Sequence, residues 1–524
     1  MGENEQMSNE RITILVVHGI GEQGRFEHLE STAANLYKAL VNNSRKPRIE
    51  MRPVNHATRG SLEQSLDVAP TLINWRAENG GQIKASFREV HWADLDMPYT
   101  YCNWIKLVGW SLSVAGARFF ARARVGPPEA HAMCPPATIS WYARLKVRLQ
   151  LFGVSLLFLM LLGTVSLLNG LLERLSIKLP PLQKIGNLIF NYLGDVKLYQ
   201  DWFKRDDERI EVLDEQSRVA IRRRMIRELI AIAAKVERRE IDGYYVLAHS
   251  LGTVVAFNAL METALSLPNY LSQEEWNALP GSLKKSQNRY LPENMMPSRP
   301  IWLDNGASLE VMAERDMLDR ARLFSGLRGV LTMGSPLNKF AALWPAIVPV
   351  NSEELPHKVD WINVQDVQDI VAGATNLFEP CPGKNTVGGL VREDMLWSDQ
   401  RTLFTAHTSY WKADGKTRDR LIDRLIPWLE GGTFEPPQNR RNVWLSRAYF
   451  YVALALLSLL LLGTFTLLFW VLKRVYDNVL VWDDFFISFC REALPWMGFF
   501  LALGAGIVLF CAIARGLWEK WRFR

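Results

Sequence analysis

The sequence predicts an α/β fold, built on a mostly parallel β-sheet flanked by helices. Short apolar runs rich in β-branched residues alternate with longer stretches of helical spacing, a pattern typical of parallel strands joined by helices. The chain has 524 residues, of which 48% are hydrophobic, so a large core is available. Its formal net charge of +6 is small for this length and does not favour nucleic-acid binding.

The individual elements follow from these patterns. Strands are predicted where short runs are apolar or alternate between two faces, over residues 11–17, 87–92, 244–248, 328–332 and 359–364. Helices are predicted where apolar residues recur at helical spacing, over residues 30–41, 206–239 and 253–264. The strand and helix over 244–264 are separated only by a short turn.

Three long stretches without a charged residue predict membrane-spanning helices. They cover residues 151–172, 448–472 and 493–514, and each is long enough as a helix to cross a hydrocarbon core about 30 Å thick. The last two form a predicted C-terminal hairpin with basic residues at its ends. Those ends, and the α/β domain that joins them, are therefore expected on the cytoplasmic side of the bilayer.

The chain thus divides into four predicted regions. Residues 1–100 form the first part of the α/β domain, 101–200 a membrane-associated insertion, 201–435 the rest of the α/β domain, and 436–524 the transmembrane hairpin. The number of crossings within 101–200 stays open, but it must be even or zero for both halves of the domain to meet. Residues 266–324 are too long for an ordinary connection and predict a cap or lid.

The chemistry is predicted at the turn Ala248-His249-Ser250-Leu251-Gly252, which follows a strand and precedes a helix. A serine exposed at such a turn needs small neighbours, because the backbone bends sharply and the helix packs close to the strand. Ala248 and Gly252 are small. The alternative is a serine that only caps the helix after a buried strand.

Five elements of the sequence carry a resemblance to a known family. They are VVHGIG, AHSLG, LTMGSPL, WINVQDVQDIVAG and AHTSYW, in this order. The chain resembles the α/β-hydrolase superfamily, and most of all its lipase and esterase members. The resemblance implies an α/β-hydrolase fold and a catalytic triad whose nucleophile is followed in the chain by the acid and then by the histidine.

This order assigns the triad. With Ser250 as the nucleophile, only His357 and His407 follow it, and His357 precedes the acids in a loop that suits a surface residue. His407 is therefore the predicted base. Asp369 is the preferred acid, because Asp-Ile-Val resembles the step that carries the acid in related lipases. Asp366 is the alternative acid, and the aspartate that does not serve is expected to cap its loop.

The resemblance also implies an oxyanion hole. Its predicted donors are the backbone N–H groups of Leu251 and, by analogy, Ile20. His18 and His249 are interpreted as positioning or structural residues rather than catalytic ones.

The sequence favours a membrane-anchored serine hydrolase that cleaves carboxylic esters, with lipid esters as the expected substrates, without a cofactor or metal. An α/β-hydrolase fold that is catalytically silent and serves as a membrane interaction module is the alternative, as is a thioesterase or an acyltransferase. Gly19, Gly21 and Gly24 also match a dinucleotide-binding pattern, although that pattern leaves AHSLG and AHTSYW unexplained. The oligomeric state is not predicted.

Overall fold

In the computed structural model the chain divides into two compact units. The first comprises Met1–Pro98, Arg122–Arg144 and Asn191–Arg440, and the second comprises Tyr99–Ala121, Leu145–Phe190 and Arg441–Arg524. The structure describes residues 9–19, 26–51, 71–92, 133–134, 217–264, 266–286, 316–344, 347–351, 354–369, 371–378, 385–397, 406–408, 410–411 and 420–436, with the single or paired positions 142, 145, 147, 149, 196, 199, 447–448, 451–452 and 463. The four predicted regions remain predictions.

The strands of the described part belong to one large sheet and two small ones. They are β1 (Asn9–Val17), β2 (Arg48–Met51), β3 (Thr71–Arg76), β4 (Gln82–Val90), β5 (Met133–Cys134), β6 (Gly243–His249), β7 (Lys284–Ser286), β8 (Asp316–Leu318), β9 (Leu327–Met333), β10 (Val350–Asn351), β11 (Val359–Asp366) and β12 (Leu390–Trp397). The large sheet has eight strands in the order β12-β11-β9-β6-β1-β4-β3-β2. From β12 to β4 all neighbours are parallel, and only β3 runs antiparallel to its neighbours.

The helices connect these strands. They are α1 (Glu27–Asn42), α2 (Ser217–Glu237), α3 (Gly252–Leu260), α4 (Gln273–Ala278), α5 (Arg320–Leu323), α6 (Leu337–Leu343) and α7 (Leu421–Leu429), with 3-10 turns at Leu267–Tyr270 and Gly281–Leu283. The α/β class and the mostly parallel sheet predicted from the sequence are confirmed.

Both faces of the central strands are buried, which explains why their sequences are almost continuously apolar. Along β1, Ile12, Ile14 and Val16 point to one face, where α1 and α7 complete a hydrophobic core. The opposite face of the sheet meets α2, where Arg88 of β4 forms a buried ion pair with Glu228 at 2.6 Å. The sheet is thus covered by helices on both faces. The carboxyl ends of its parallel strands are where an α/β sheet usually carries a functional site.

Most of the residues of the predicted membrane segments lie outside the described residues. Residues 151–172 and 493–514 lie outside the described residues, and so does most of 448–472. Among the residues that the structure does describe, no helix has both the length and the apolar character needed to cross a bilayer. The three predicted spans therefore stay predictions.

The described ends of the predicted cap, 266–286 and 316–324, pack at the end of α3 that is remote from Ser250. The Arg320 guanidinium donates to the carbonyl of Leu260, the last residue of that helix, at 3.1 Å. Since α3 has nine residues, this contact lies about 13 Å along the helix from Ser250. Trp276 is buried there rather than facing the turn. These residues do not cover the turn, and the rest of the predicted cap, 287–315, lies outside the described residues.

Candidate active site

Ser250 lies at a sharp turn between the end of β6 and the start of α3. Its backbone φ of 54° is in the left-handed region, which costs a residue with a side chain about 1 to 3 kcal/mol. Its N–H donates to the carbonyl of Met333 in β9 at 2.9 Å. Gly252 lies directly against the backbone carbonyls of Val17 and His18, so a side chain at that position would collide with β1. The turn holds the serine at the carboxyl edge of the sheet.

Ser250, His407 and Asp369 form one chain of hydrogen bonds. The Ser250 Oγ lies 2.8 Å from His407 Nε2, and His407 Nδ1 lies 2.9 Å from Asp369 Oδ2. Because a carboxylate only accepts, Nδ1 carries the proton, and Nε2 accepts the hydrogen bond of the serine hydroxyl. The Asp369 side chain is 0% exposed and that of His407 is 14% exposed. The structure thus brings together three residues that follow three different strands, β6, β11 and β12.

The Asp369 carboxylate is held by donors on both oxygens. Its Oδ2 accepts hydrogen bonds from His407 and from the Tyr410 hydroxyl, the latter at 2.8 Å. Its Oδ1 accepts from the N–H groups of Val371 at 2.8 Å and Ala372 at 3.3 Å. Burial alone would raise the pKa of Asp369, but the charge and hydrogen bond of His407, the Tyr410 hydroxyl and a backbone N–H lower it to about 2. This carboxylate is ionised at neutral pH.

Asp366, the alternative acid, occupies a different position. Its Oδ1 accepts from the N–H of Gln368 at 2.8 Å, the geometry of an aspartate that caps its own loop. Its backbone N–H donates to the Tyr410 hydroxyl at 2.9 Å. Of the two candidates, Asp369 is the one that contacts His407.

Of the two predicted oxyanion donors, Leu251 is among the described residues. Leu251 is buried and precedes the first residue of α3, where backbone N–H groups have no partner within the helix. Ile20 lies outside the described residues. Its neighbour Gly19 lies against Ser250, because a Cβ on Gly19 would be 2.5 Å from the serine Cβ. Gly19, the last described residue before Ile20, therefore lies next to the serine.

His18 has a structural role, as predicted from the sequence. The Trp92 N–H lies 3.0 Å from His18 Nε2, which must accept, and His18 Nδ1 lies 2.7 Å from the Gly19 carbonyl, to which it donates. The ring is fully buried. These two bonds fix one neutral tautomer and tie the loop after β1 to the end of β4.

Three imidazole rings follow one another beside the serine. The ring of His249 lies 5.9 Å from that of His28 and 4.8 Å from that of His407, centre to centre. His249 Nε2 donates to the backbone carbonyl of His407 at 2.6 Å. Its Nδ1 is buried and has no hydrogen-bond partner within the described part of the chain. His249 therefore positions the backbone of His407.

The two imidazoles of this row that do not contact Ser250, His249 and His28, are neutral at neutral pH. Burial lowers the pKa of His249 well below its ordinary value, and the nearby His407 and His28 lower it further. Burial also lowers the pKa of His28 to about 4. Neither ring therefore carries a positive charge at neutral pH that would repel a protonated His407.

Other candidate groups are less well placed. His357, predicted as a surface residue, is exposed. Gly21 and Gly24 of the alternative dinucleotide motif lie outside the described residues. Within the described ranges, no cluster of three or more histidine, cysteine, aspartate or glutamate residues is arranged to hold a metal ion.

Sequence reasoning missed two residues of the site. Tyr410 lies within AHTSYW, but nothing in those letters indicates that its hydroxyl faces Asp369. His28 is the second residue of α1 and belongs to none of the five sequence elements. Only the packing of α1 against the sheet brings it to His249. Both contacts depend on tertiary structure.

Comparison with known proteins finds no matching family model, no matching curated protein and no matching solved structure. The arrangement must therefore be interpreted by its chemistry. A serine hydroxyl bonded to a neutral imidazole, which is bonded in turn to a buried carboxylate, can lose its proton as it attacks an electrophilic carbon.

Proposed function

We propose that this protein is a membrane-anchored serine hydrolase of the α/β-hydrolase fold, and that it cleaves carboxylic esters. The observation that carries the proposal is the hydrogen-bonded chain from Ser250 through His407 to Asp369, which begins at a strained turn between strand and helix. A serine that only capped a helix would have no need of an imidazole 2.8 Å from its oxygen. Strain at such a position is typical of a functional residue.

The proposed reaction proceeds through an acyl-enzyme. Ser250 Oγ attacks the ester carbonyl while its proton passes to His407 Nε2, and the protonated imidazole then gives that proton to the departing alkoxide. Water repeats the same steps with the acyl group and restores the serine. Asp369 keeps the imidazole in one tautomer and stabilises its positive charge without accepting the proton.

The negative oxygen formed at each step needs donors that are already in place. Leu251 is the N-cap of α3 and follows the serine directly, so its N–H is the proposed first donor, and that of Ile20 is the proposed second. Loss of one such donor typically raises the barrier by about 2.7 to 4 kcal/mol.

The membrane part of the proposal rests on the uncharged stretches 151–172, 448–472 and 493–514. Anchored beside the bilayer, the domain would meet lipid esters at the surface, so these are the proposed substrate class. The basic residues at the ends of the C-terminal hairpin favour a catalytic domain on the cytoplasmic side.

Ester hydrolysis by the detergent-solubilised full chain tests the proposed activity. We expect the wild type to hydrolyse p-nitrophenyl butyrate, and Ser250→Ala to lose at least about 10³-fold in kcat. Ser325→Ala is the matched control, because this exposed serine only bonds the carbonyl of Arg322. Equal activity in Ser250→Ala and wild type would refute the proposal, and an inactive wild type that still binds membranes would favour the interaction module.

A second assay tests the lipid substrate class. Wild-type protein is reconstituted into phosphatidylcholine vesicles, and released fatty acid is compared with hydrolysis of the soluble butyrate ester. Preference for the vesicle lipid supports a lipid hydrolase. Preference for the soluble ester or for an acyl thioester assigns the anchor to localisation only, and transfer of the acyl group to an added alcohol indicates an acyltransferase.

A further inference from the structure

The Tyr410 hydroxyl lies between the two aspartates of the β11 loop. It donates to Asp369 Oδ2 at 2.8 Å and accepts from the N–H of Asp366 at 2.9 Å. Burial and the negative charge of Asp369 raise the pKa of Tyr410 well above its ordinary value, so the hydroxyl keeps its proton and remains a donor. Tyr410 is buried.

The same carboxylate oxygen also accepts the proton of His407 Nδ1. His407 and Tyr410 are three residues apart in one turn of chain, and their donors converge on Asp369 Oδ2 at 2.9 and 2.8 Å. A hydrogen bond from a neutral phenol takes up part of the negative charge of that oxygen. Less charge is then available to stabilise a protonated imidazole.

We propose that Tyr410 is a positioning residue that orients the Asp369 carboxylate and limits how strongly it stabilises protonated His407. This inference rests on the proposed function, because it assigns Tyr410 a role through the same triad. This role explains why the Tyr410 hydroxyl contacts Asp369 directly. The same hydroxyl also holds the start of the loop that carries Asp369, because it accepts the N–H of Asp366.

Other ionisable groups face this pair from the elements around it. Asp366 lies in the same loop, Lys339 of α6 donates to the Val371 carbonyl at 2.6 Å, and His249 lies on the other side of His407. Beyond it is His28 of α1. Tyr410→Phe removes none of these groups, although the N–H of Asp366 loses its acceptor.

The first test is the pH profile of kcat/KM for Tyr410→Phe, normalised to active sites titrated with a fluorophosphonate. Without the phenol, Asp369 is more negative and stabilises protonated His407 more, so the midpoint of the acid limb should move to higher pH by about half a unit. Looser orientation of the acid should lower kcat/KM at its optimum about fivefold. An unchanged midpoint would overturn the inference.

Tyr244→Phe is the matched control. It removes another buried tyrosine hydroxyl, which donates to the Leu323 carbonyl at 3.2 Å, at the opposite end of β6 and about 20 Å from Ser250. Its pH midpoint should equal that of the wild type. If both variants shift alike, the effect is structural and the inference fails.

Incorporation of 3,5-difluorotyrosine at position 410 covers the case in which Tyr410→Phe does not fold. The fluorinated phenol is more acidic and a stronger donor, so the acid-limb midpoint should move to lower pH, opposite to the phenylalanine variant. No movement would contradict the inference.

A double-variant comparison locates the effect at Asp369. On an Asp369→Asn background, Tyr410→Phe should change kcat/KM less than about twofold, because the carboxylate through which it acts is gone. The full fivefold loss on that background would refute the inference. If instead the wild type has no Ser250-dependent activity, the proposed function fails, and this outcome is distinct from active enzyme with an unchanged Tyr410→Phe profile.

Discussion

The two ends of α3 differ in backbone strain and in the side chains that meet there. At the C-terminal end, the Arg320 guanidinium donates to the carbonyls of Leu260 and Glu262, a favourable place for a cation. At the N-terminal end, Ser250 has a left-handed backbone and the neighbouring His249 has a buried Nδ1 without a partner in the described chain. Backbone strain and a buried nitrogen without a described partner thus lie beside the serine, imidazole and carboxylate, which is expected of a functional end.

Asp369→Asn should give the largest effect, because it leaves the shape of the N-terminal end intact but removes the acceptor that fixes the tautomer of His407. We expect kcat for p-nitrophenyl butyrate to fall by about 10³ to 10⁴. Asp366→Asn is the control, since an amide oxygen can still accept from the Gln368 N–H, and its activity should stay within about twofold of the wild type. The reverse ranking would make Asp366 the acid.

Gly19→Ala probes the close packing at the same end. The new Cβ would be 2.5 Å from the Ser250 Cβ, so either the serine or the loop of Ile20 must move. A displacement of about 1 Å can cost about 100-fold, and we expect a loss of that size in kcat/KM. Gly281→Ala is matched to it, because no atom lies within 4 Å of a Cβ there. Normal kinetics in Gly19→Ala would mean that the loop does not constrain the serine.

Arg320→Met tests the C-terminal end. The change keeps most of the side-chain volume but leaves the carbonyls of Leu260 and Glu262 without their donor, so the free energy of unfolding should fall by about 2 to 3 kcal/mol. Urea unfolding measures this loss, and Arg322→Met in the same helix, with its side chain 59% exposed, should change it little. Activity per titrated active site should be unchanged. A loss of kcat in Arg320→Met would mean that the contacts at the C-terminal end of α3 influence the geometry of the site at its N-terminal end.

The pH dependence of stability tests the row of neutral imidazoles. Because burial lowers the folded-state pKa of His28 and His249, the unfolded chain binds more protons, and stability is lost as pH falls below about 6.5. Each histidine should contribute about 1.4 kcal/mol per pH unit, down to about pH 4 for His28. In urea unfolding between pH 7.5 and 5, His28→Phe should therefore lower the slope of the unfolding free energy against pH by the contribution of one histidine.

His357→Gln is the control for this slope. His357 is an exposed residue outside the row of imidazoles, so this variant measures the effect of removing a histidine elsewhere in the chain, and His28→Phe should change the slope more. An unchanged slope in His28→Phe would show that this ring does not resist protonation in the folded protein.

The fold was predictable where strands are buried on both faces. The buried parts of β1 and β6 are almost entirely apolar, and the predicted limits of these strands differ from the observed ones by at most two residues. β12 was not predicted, because this edge strand carries Arg392, Glu393 and Asp394 and is only half-buried. Of the helix predicted over 206–239, Ser217–Glu237 is observed and residues 206–216 lie outside the described residues; Ile226, Leu229 and Ile230 are buried as expected.

The site was predictable as far as chain order determines it. Ser250, Asp369 and His407 were selected from motifs and their order. The structure places His407 within hydrogen-bond distance of both Ser250 and Asp369. Their role in catalysis stays a prediction. The sequence preferred Asp369 to Asp366 only by resemblance, and the coordinates show that Asp369, three residues beyond the end of β11, contacts the imidazole.

Covalent labelling tests the central claim most directly. Full-length protein is treated with a fluorophosphonate and digested, and the modified peptide is mapped by mass spectrometry in the wild type, in Ser250→Ala and in His407→Ala. The account predicts one adduct at Ser250, no adduct in Ser250→Ala, and labelling at least about 100-fold slower in His407→Ala. An unlabelled Ser250 in folded wild type, or an equal rate without the imidazole, would contradict it.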